Sequence, residues 1–163
     1  MITRRTLFLG LAGLTFAAQR VLAQSENPTT AQPMLPTAKL VITTHDGRKL
    51  DFTVEMALTQ AQQIIGLMFR PTVPDGTGML FDWGQPRESD MWMRNTIAPL
   101  DMLFISADGT IHHIAEDTVP QSLAVISSGG QVRATLEIAA GTAEKLDIRV
   151  GDKVQNSVFG NAP

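Results

Sequence analysis

The sequence contains no cysteine. This absence excludes disulfide bonds, thiolate metal sites, a cysteine nucleophile and a lipid-modified N-terminal cysteine. A chain of 163 residues with 44% hydrophobic side chains is nevertheless long enough to bury a core without covalent cross-links. The composition therefore predicts one ordinary globular domain.

Basic side chains are in deficit, with 13 Lys and Arg residues against 16 Asp and Glu residues. Removal of residues 1–23, argued below, also takes away Arg4, Arg5 and Arg20, which leaves 10 basic and 16 acidic side chains and a formal charge of −6. Lys and Arg contacts with phosphates supply most non-specific affinity for nucleic acids. We therefore expect neither a nucleic-acid partner nor electrostatic attachment to a membrane.

Long apolar runs are also missing, and the N-terminal run from Thr6 to Ala18 would span only about 20 Å of the roughly 30 Å hydrocarbon core. Arg4-Arg5 precede this run, and Val21-Leu22-Ala23 follow it with a small residue at the end. This pattern is typical of an export signal over residues 1–23. The two arginines resemble a twin-arginine signal, and a general export signal is the alternative. We expect a periplasmic or secreted protein that meets the membrane only during export.

The remaining chain divides into three parts. Residues 24–37 contain three prolines and no apolar period, which predicts a flexible linker. Residues 38–156 form the predicted domain, and residues 157–163 form a C-terminal tail. We find no internal repeat.

Short strands dominate the predicted domain. A β-branched, apolar run at Lys39–Thr44 is followed by the turn residues Asp46-Gly47 and by period-two alternation over Lys49–Met56, which together predict a hairpin. Apolar spacing after Thr59 predicts a helix to Met68, and residues 141–147 are typical of a second short helix. Further strands are predicted at Met79–Phe81, Met91–Asn95, Met102–Ser106, Thr110–Ala115 and Gln131–Ile138, with a turn at Ser127–Gly130. The expected fold is mainly β, bordering on α+β: a compact antiparallel β-sandwich or barrel with two short helices.

An ordered series of motifs carries a family resemblance. The series is Gly66-Leu67-Met68-Phe69-Arg70, Gly78-Met79-Leu80-Phe81, Met91-Trp92-Met93-Arg94-Asn95-Thr96, Pro99-Leu100-Asp101, Ala107-Asp108-Gly109, Ser128-Gly129-Gly130, Leu136-Glu137 and Val150-Gly151-Asp152. Together these motifs resemble DUF192, a family of domains of unknown function, over roughly residues 39–155. The resemblance implies a compact β-rich fold often found behind export signals, and it implies no established activity. Val125-Ile126-Ser127 stand where many relatives have a proline and often a cysteine, so no thiol role applies in that loop.

The densest group of candidate site residues is Trp92, Arg94, Asn95, Thr96 and Asp101. On a strand, Trp92 and Arg94 would share one face because side chains alternate. An indole beside hydrogen-bonding groups suits a sugar or another ring-shaped polar ligand. The alternative is a structural network in which Arg94 pairs with Asp101 or Glu137 and Trp92 is a core residue.

Other polar residues suggest further hypotheses. Arg70 follows the first predicted helix, where it could reach an anionic ligand or stabilise the helix C-terminus. Asp101 and Glu137 could act as paired carboxylates of a hydrolase, provided that they lie roughly 5–10 Å apart. His112 and His113 are adjacent on a predicted strand and therefore face opposite sides, which disfavours a metal site. We expect no catalytic set, cofactor or metal.

Three functional hypotheses follow. The leading one is a non-catalytic binding or accessory protein of the cell envelope, which recognises a small polar ligand such as a saccharide, or an envelope partner. The second is an envelope hydrolase or carbohydrate-acting enzyme that uses the paired carboxylates. The third is a structural domain for protein–protein contact.

Overall fold

A computed structural model describes residues 28–163. The predicted export signal and the first part of the predicted linker lie outside the described residues. The described chain contains β1 (Thr37–Thr43), β2 (Lys49–Ala57), α1 (Gln60–Ile65), β3 (Thr77–Met91), β4 (Leu100–Ile105), β5 (Ile111–Ala115), β6 (Ile126–Ala139), α2 (Thr142–Leu146), β7 (Lys153–Gln155) and a 3-10 turn (Ser157–Phe159). With 44% strand and 10% helix, the predicted mainly β class with two short helices is confirmed.

The seven strands form one curled sheet, a half-barrel with the order β5-β4-β6-β3-β2-β1-β7. Neighbouring strands are antiparallel except β2 and β3, which are parallel. Helix α1 connects this parallel pair as a strand–helix–strand crossover. The sequence pattern did not reveal the crossover because α1 has only six residues and a Pro- and Gly-containing loop separates it from β3. The sheet is therefore mixed, whereas we expected antiparallel pairing throughout.

The predicted hairpin is present in β1 and β2, with Leu40 opposite Phe52 and Ile42 opposite Leu50. Gly47 occupies the turn with a φ of 84°, a left-handed conformation that glycine adopts without steric cost. The sequence pattern therefore identified both strands of the hairpin and its turn.

Apolar clusters cover both faces of the central strands, because side chains alternate along each strand. Leu80, Leu103 and Leu136 belong to the first cluster, which also receives α2. Met79 and Met102 belong to the second cluster, which lies on the α1 side of the sheet. All six residues of β4 are buried, so this strand has no solvent-facing side.

Helix α1 begins as predicted, with Thr59 as N-cap in a capping box with Gln62. Gly66 ends the helix with a φ of 50°, and a β-carbon there would lie only 2.9 Å from the Phe81 ring. Glycine thus permits both the turn and the close approach of α1 to β3. Within the described residues, neither helix has the length and apolar character needed to cross a bilayer.

The two ends of the described chain contact the domain. Gln32 Nε2 donates to the backbone oxygens of Gln62 and Gly66 at 3.1 and 2.9 Å, and Leu35 packs against the second cluster. In the predicted tail, Phe159 packs against the first cluster. Both segments therefore add contacts to the domain that their sequences did not indicate.

Strands β3 and β6 are much longer than predicted, at 15 and 14 residues. Their pairing contains register shifts between Asp82 and Arg87 and between Glu88 and Asp90. The residues expected to form a turn at Ser127–Gly130 lie inside β6, with Gly129 at a φ of 65°. Because the turn-forming residues form a bulge instead, a simple alternation rule missed most of β3 and nearly half of β6.

Candidate functional site

A cleft of about 480 Å³ lies between α1 with its following loop and the second half of β3 with its following loop. This volume lies in the range of small-molecule sites in proteins. The walls of the cleft combine apolar and polar side chains in similar measure, a composition that suits a small polar ligand. The polar lining residues are Gln60, Gln63, Arg87, Asp90, Thr96 and Glu137.

Both tryptophans of the chain line this cleft. Trp83 is fixed in place, since its Nε1 donates to Thr135 Oγ1 at 3.2 Å and its ring lies 5.8 Å from that of Phe81. Trp92 is 46% exposed and therefore accessible to a ligand. The cleft thus combines a rigid indole with one that faces solvent.

A guanidinium group lies over each indole. Arg87 Cζ is 4.3 Å from the centre of the Trp83 ring, and Arg94 Cζ is 5.2 Å from that of Trp92. Both distances fit cation–π contacts. The predicted proximity of Trp92 and Arg94 is present, but the cause is different: β3 ends at Met91, and both residues lie in the loop that follows.

Glu137 lies against the cleft from the middle of β6, with its residue 5% exposed. Its neighbours across the sheet are Met79 on β3 and Met102 on β4, both fully buried. Burial raises the pKa of Glu137 to about 8, and the carboxyl group has no charged or hydrogen-bonded partner among the described residues that would lower it. At neutral pH, Glu137 is therefore mainly a carboxylic acid, which can donate a hydrogen bond into the cleft.

Thr96 and Asn95 lie next to one another but have different positions. Thr96 is buried and lines the cleft. Asn95 holds the loop against the end of α1, because its backbone oxygen accepts from Phe69 N at 2.8 Å and its Nδ2 lies 3.8 Å from Met68 Sδ. Of these two residues, Thr96 lines the cleft and Asn95 does not.

Asp101 lies outside the cleft, contrary to the predicted ligand site. It is fully buried, and its carboxylate accepts from the backbone N–H groups of Asp117, Gly141 and Ala143 at 3.0, 3.2 and 2.8 Å. These contacts hold the start of α2 and the loop after β5 together. Asp101 is therefore a structural residue that satisfies backbone amides rather than an ion-pair partner.

The strand register also separates the two predicted catalytic carboxylates. Asp101 lies opposite Ile138 in the β4–β6 pair, whereas Glu137 lies opposite Met102. Directly opposed residues share a face and consecutive residues alternate, so Asp101 and Glu137 point to opposite sides of the sheet. The paired-carboxylate hypothesis is therefore wrong.

Arg70 has an internal partner and does not line the cleft. Its guanidinium binds both carboxylate oxygens of Glu55, with Arg70 Nη2 2.9 Å from one of them. The side chains of this ion pair are only 15% and 7% exposed. Glu55 also accepts from Leu35 N at 2.8 Å, so the ion pair holds the N-terminal segment on the domain. Arg70 borders a second cavity of about 390 Å³ with apolar walls.

Sequence reasoning missed Trp83, Arg87 and Gln63 as cleft residues and treated Glu137 only as a partner of Asp101. One signal could have found Trp83: Met79, Phe81 and Trp83 continue one period-two series, which predicts a common face. We ended that strand at Phe81. No local pattern marks Arg87 or Gln63, because the β3 bulge and the end of α1 bring them together.

An apolar loop lies beside the cleft. Val119, Leu123 and Val125 are 69%, 70% and 68% exposed. Met93 N donates to Ser122 O at 3.1 Å, which places this loop next to the Trp92 segment. The loop is the part of the described surface most relevant to the protein-contact hypothesis.

The fold and the cleft define a small β-rich domain with one curled mixed sheet and a ligand-sized opening on one side. The chain belongs to the DUF192 family, described as "Uncharacterized ACR", whose family model matches residues 41–156. The predicted resemblance is thereby confirmed.

Solved structures similar to this chain include two bacterial proteins. A crystal structure from Sinorhizobium meliloti 1021, described as a "putative transcription regulator", has a TM-score of 0.76 and 41% identity, covering 78% of this chain and 99% of that one. A protein of unknown function from Novosphingobium aromaticivorans DSM 12444 has a TM-score of 0.73 and 36% identity, covering 78% and 91%. No curated protein matches the chain.

Proposed function

We propose that this protein is an exported, non-catalytic binding domain of the cell envelope that holds a small polar ligand in the cleft between α1 and β3. The observation that carries the proposal is the meeting of Trp83, Trp92 and the buried carboxyl group of Glu137 around one ligand-sized space. Aromatic walls with a few oriented polar groups are the usual composition of small-ligand sites.

The polar groups of the cleft support binding rather than catalysis. Gln63 Nε2 is already engaged with the backbone oxygens of Ala57 and Asp82, at 3.1 and 2.7 Å, so this amide is held in one orientation. Asp101, the predicted partner of Glu137, lies on the opposite face of the sheet and cannot act together with it. A fixed amide and a single buried acid orient a ligand, whereas glycoside hydrolysis needs two carboxylates.

We do not propose DNA binding for this protein, although one similar structure is described as a transcription regulator. The full chain carries a formal charge of −3. Affinity for DNA rests mainly on Lys and Arg contacts with phosphates, which an acidic protein supplies poorly.

Intrinsic fluorescence tests the binding site directly, because the chain has two tryptophans and no tyrosine. Since both indoles line the cleft, a ligand bound there changes the emission and also raises the melting temperature. A ligand that raises the melting temperature of the protein without changing the emission of either indole would place binding elsewhere and contradict the proposal.

Export is part of the same proposal and has its own test. We expect the protein isolated from its source cells to begin at Gln24 and to fractionate with the periplasm or the medium. N-terminal sequencing settles the point, and a protein that retains Met1 and fractionates with the cytosol would contradict it.

Protein–protein contact is the second candidate, and the apolar loop of Val119, Leu123 and Val125 favours it. A photo-crosslinking amino acid at position 123 should capture an envelope partner in intact cells. The matched control is position 150, where Val150 is 60% exposed. Equal capture at both positions, or none at position 123, would exclude this role for the loop.

A further inference from the structure

We infer that the cleft recognises a small-molecule carboxylate, held between the guanidinium of Arg87 and the carboxyl group of Glu137. This inference rests on the proposed function and specifies its ligand class. The ligand class is inferred from two features of the cleft: the charged side chains that line it, and the lining groups that have no hydrogen-bond partner among the described residues.

Arg87 supplies the positive charge. Its guanidinium Cζ lies 4.3 Å from the centre of the Trp83 ring, and Arg87 forms no ion pair with any of the described residues. Beyond this cation–π contact, the Arg87 N–H groups donate to no acceptor among the described residues, so they can bind a further group. Those N–H groups match the two oxygens of a carboxylate, which arginine binds in a bidentate manner.

Glu137 supplies a hydrogen-bond donor of unusual kind. Its protonated carboxyl group is nine-tenths buried and faces the cleft without a partner among the described residues. An O–H donor that meets a carboxylate oxygen forms a short, charge-assisted hydrogen bond. A cationic ligand would instead require ionised Glu137, which its apolar surroundings disfavour.

The other charged groups around the cleft limit the net charge that a ligand can carry. From β3, Arg87 and Asp90 line the same cleft, and the α1 residues that line it are glutamines and isoleucines, which carry no charge. Arg94 approaches from the loop after β3 through its contact with Trp92. The exposed carboxylate of Asp90 at the rim disfavours polyanions, so one carboxylate on an otherwise neutral or zwitterionic molecule fits best.

Ionisation of Glu137 should weaken such a ligand, because the donor is lost and a second negative charge appears beside the carboxylate. Only the protonated fraction of the protein then binds well, and this fraction falls by about tenfold per pH unit once Glu137 titrates. Between pH 6.5 and pH 9.5 we expect the dissociation constant of a carboxylate to rise by roughly 10- to 30-fold.

Matched ligand pairs test the inference with the full exported protein. Tryptophan emission is titrated with glucuronate against glucose, and with benzoate against benzamide, at pH 6.5 and pH 9.5. Each acid should bind at least about tenfold more tightly than its neutral partner at pH 6.5, the order expected for loss of one charge-assisted pair. The preference should shrink at pH 9.5.

Three variants show which residues cause the preference for the acids and its pH dependence. Arg87→Gln should lose most of the preference for the acids, whereas Arg149→Gln, an exposed arginine paired with Asp147, should keep it. Glu137→Gln keeps a neutral hydrogen-bond donor, so it should still prefer the acids but lose the pH dependence. An unchanged pH profile in Glu137→Gln would remove Glu137 from the site.

The outcomes separate this inference from the proposed function. If glucose or benzamide binds as tightly as its acid partner, the cleft is a ligand site and the carboxylate assignment is wrong. If no probe changes the emission of either indole, both the inference and the proposed cleft site are contradicted.

Discussion

Glu137 is the residue whose chemistry is most changed by the fold. A carboxyl group placed between Met79 and Met102 has little solvation, and a nearby cation would normally compensate. Here burial acts alone and raises its pKa to about 8. A side chain that would be an anion on the surface therefore becomes a neutral donor in the cleft.

This ionisation links stability to pH. Between the ordinary pKa of 4.5 and the folded-state pKa of about 8, the folded protein keeps a proton that the unfolded chain has released. The free energy of unfolding should therefore fall as the pH rises through this window, by about 3–5 kcal/mol in total. Urea unfolding at pH 5 and pH 8.5 measures the change.

In Glu137→Gln the free energy of unfolding should no longer fall between pH 5 and pH 8.5, because an amide does not ionise. The variant should therefore be more stable than the wild type at pH 8.5. The control is Glu116→Gln, an exposed position, which should follow the wild type at both pH values. Parallel pH curves for the wild type and Glu137→Gln would show that the carboxyl group is already ionised or solvated in the folded state.

Asp101 illustrates the opposite use of a buried carboxylate. Its three backbone hydrogen bonds would all be lost in Asp101→Ala, leaving the amide of buried Ala143 without a partner. We expect a loss of about 3 kcal/mol or more in denaturant unfolding. Asp51→Ala breaks an exposed ion pair with Lys39 and should cost less than about 1 kcal/mol. Equal losses would contradict the structural role of Asp101.

At the scale of elements, the contact between β3 and β6 forms the base of the cleft. Gly78 lies so close to β6 that an added β-carbon would meet the backbone oxygen of Glu137. Strand backbone cannot move aside as a flexible side chain can, so only glycine fits at this crossing. The Gly78-Met79-Leu80-Phe81 motif is thus explained by sheet packing.

Gly78→Ala should consequently destabilise the protein by about 2–3 kcal/mol or more, since overpacking forces the two strands apart. Gly84→Ala is the comparison: Gly84 has a φ of 77° and open space around its α-carbon, so only conformational strain of about 1–2 kcal/mol is expected. Thermal unfolding ranks the two variants. A larger loss in Gly84→Ala would mean that β3 and β6 tolerate a wider spacing.

At the scale of the whole molecule, local patterns predicted the elements and missed the long-range pairings. The β1–β2 hairpin and the Thr59 cap were predictable because alternation, an Asp-Gly turn and a capping residue are all encoded within a few positions. The parallel β2–β3 pair was not, because its crossover helix is a single short segment.

The cleft, like the fold, was predictable only where its residues lie close together in the sequence. Trp92 and Thr96 were identified because one segment contains both, whereas the cleft also requires Trp83 and Arg87 from β3 and Glu137 from β6. Asp101 was misassigned because an isolated sequence position does not reveal that backbone amides satisfy its carboxylate. Sequence reasoning therefore found one wall of the cleft, and the sheet topology supplied the others.

The N-terminal segment offers a last test of how the molecule is held together. Leu35 packs against the second apolar cluster and donates to Glu55, and Pro36 O accepts from Met56 N at 3.0 Å. A protein that begins at residue 37 should therefore be less stable than one that begins at residue 28, by about 2–3 kcal/mol, from lost burial and hydrogen bonds. Both should keep the same far-ultraviolet circular dichroism, and urea unfolding compares them. Equal stability would show that residues 28–36 are only a tether, because contacts that contribute to folding cannot be removed without loss.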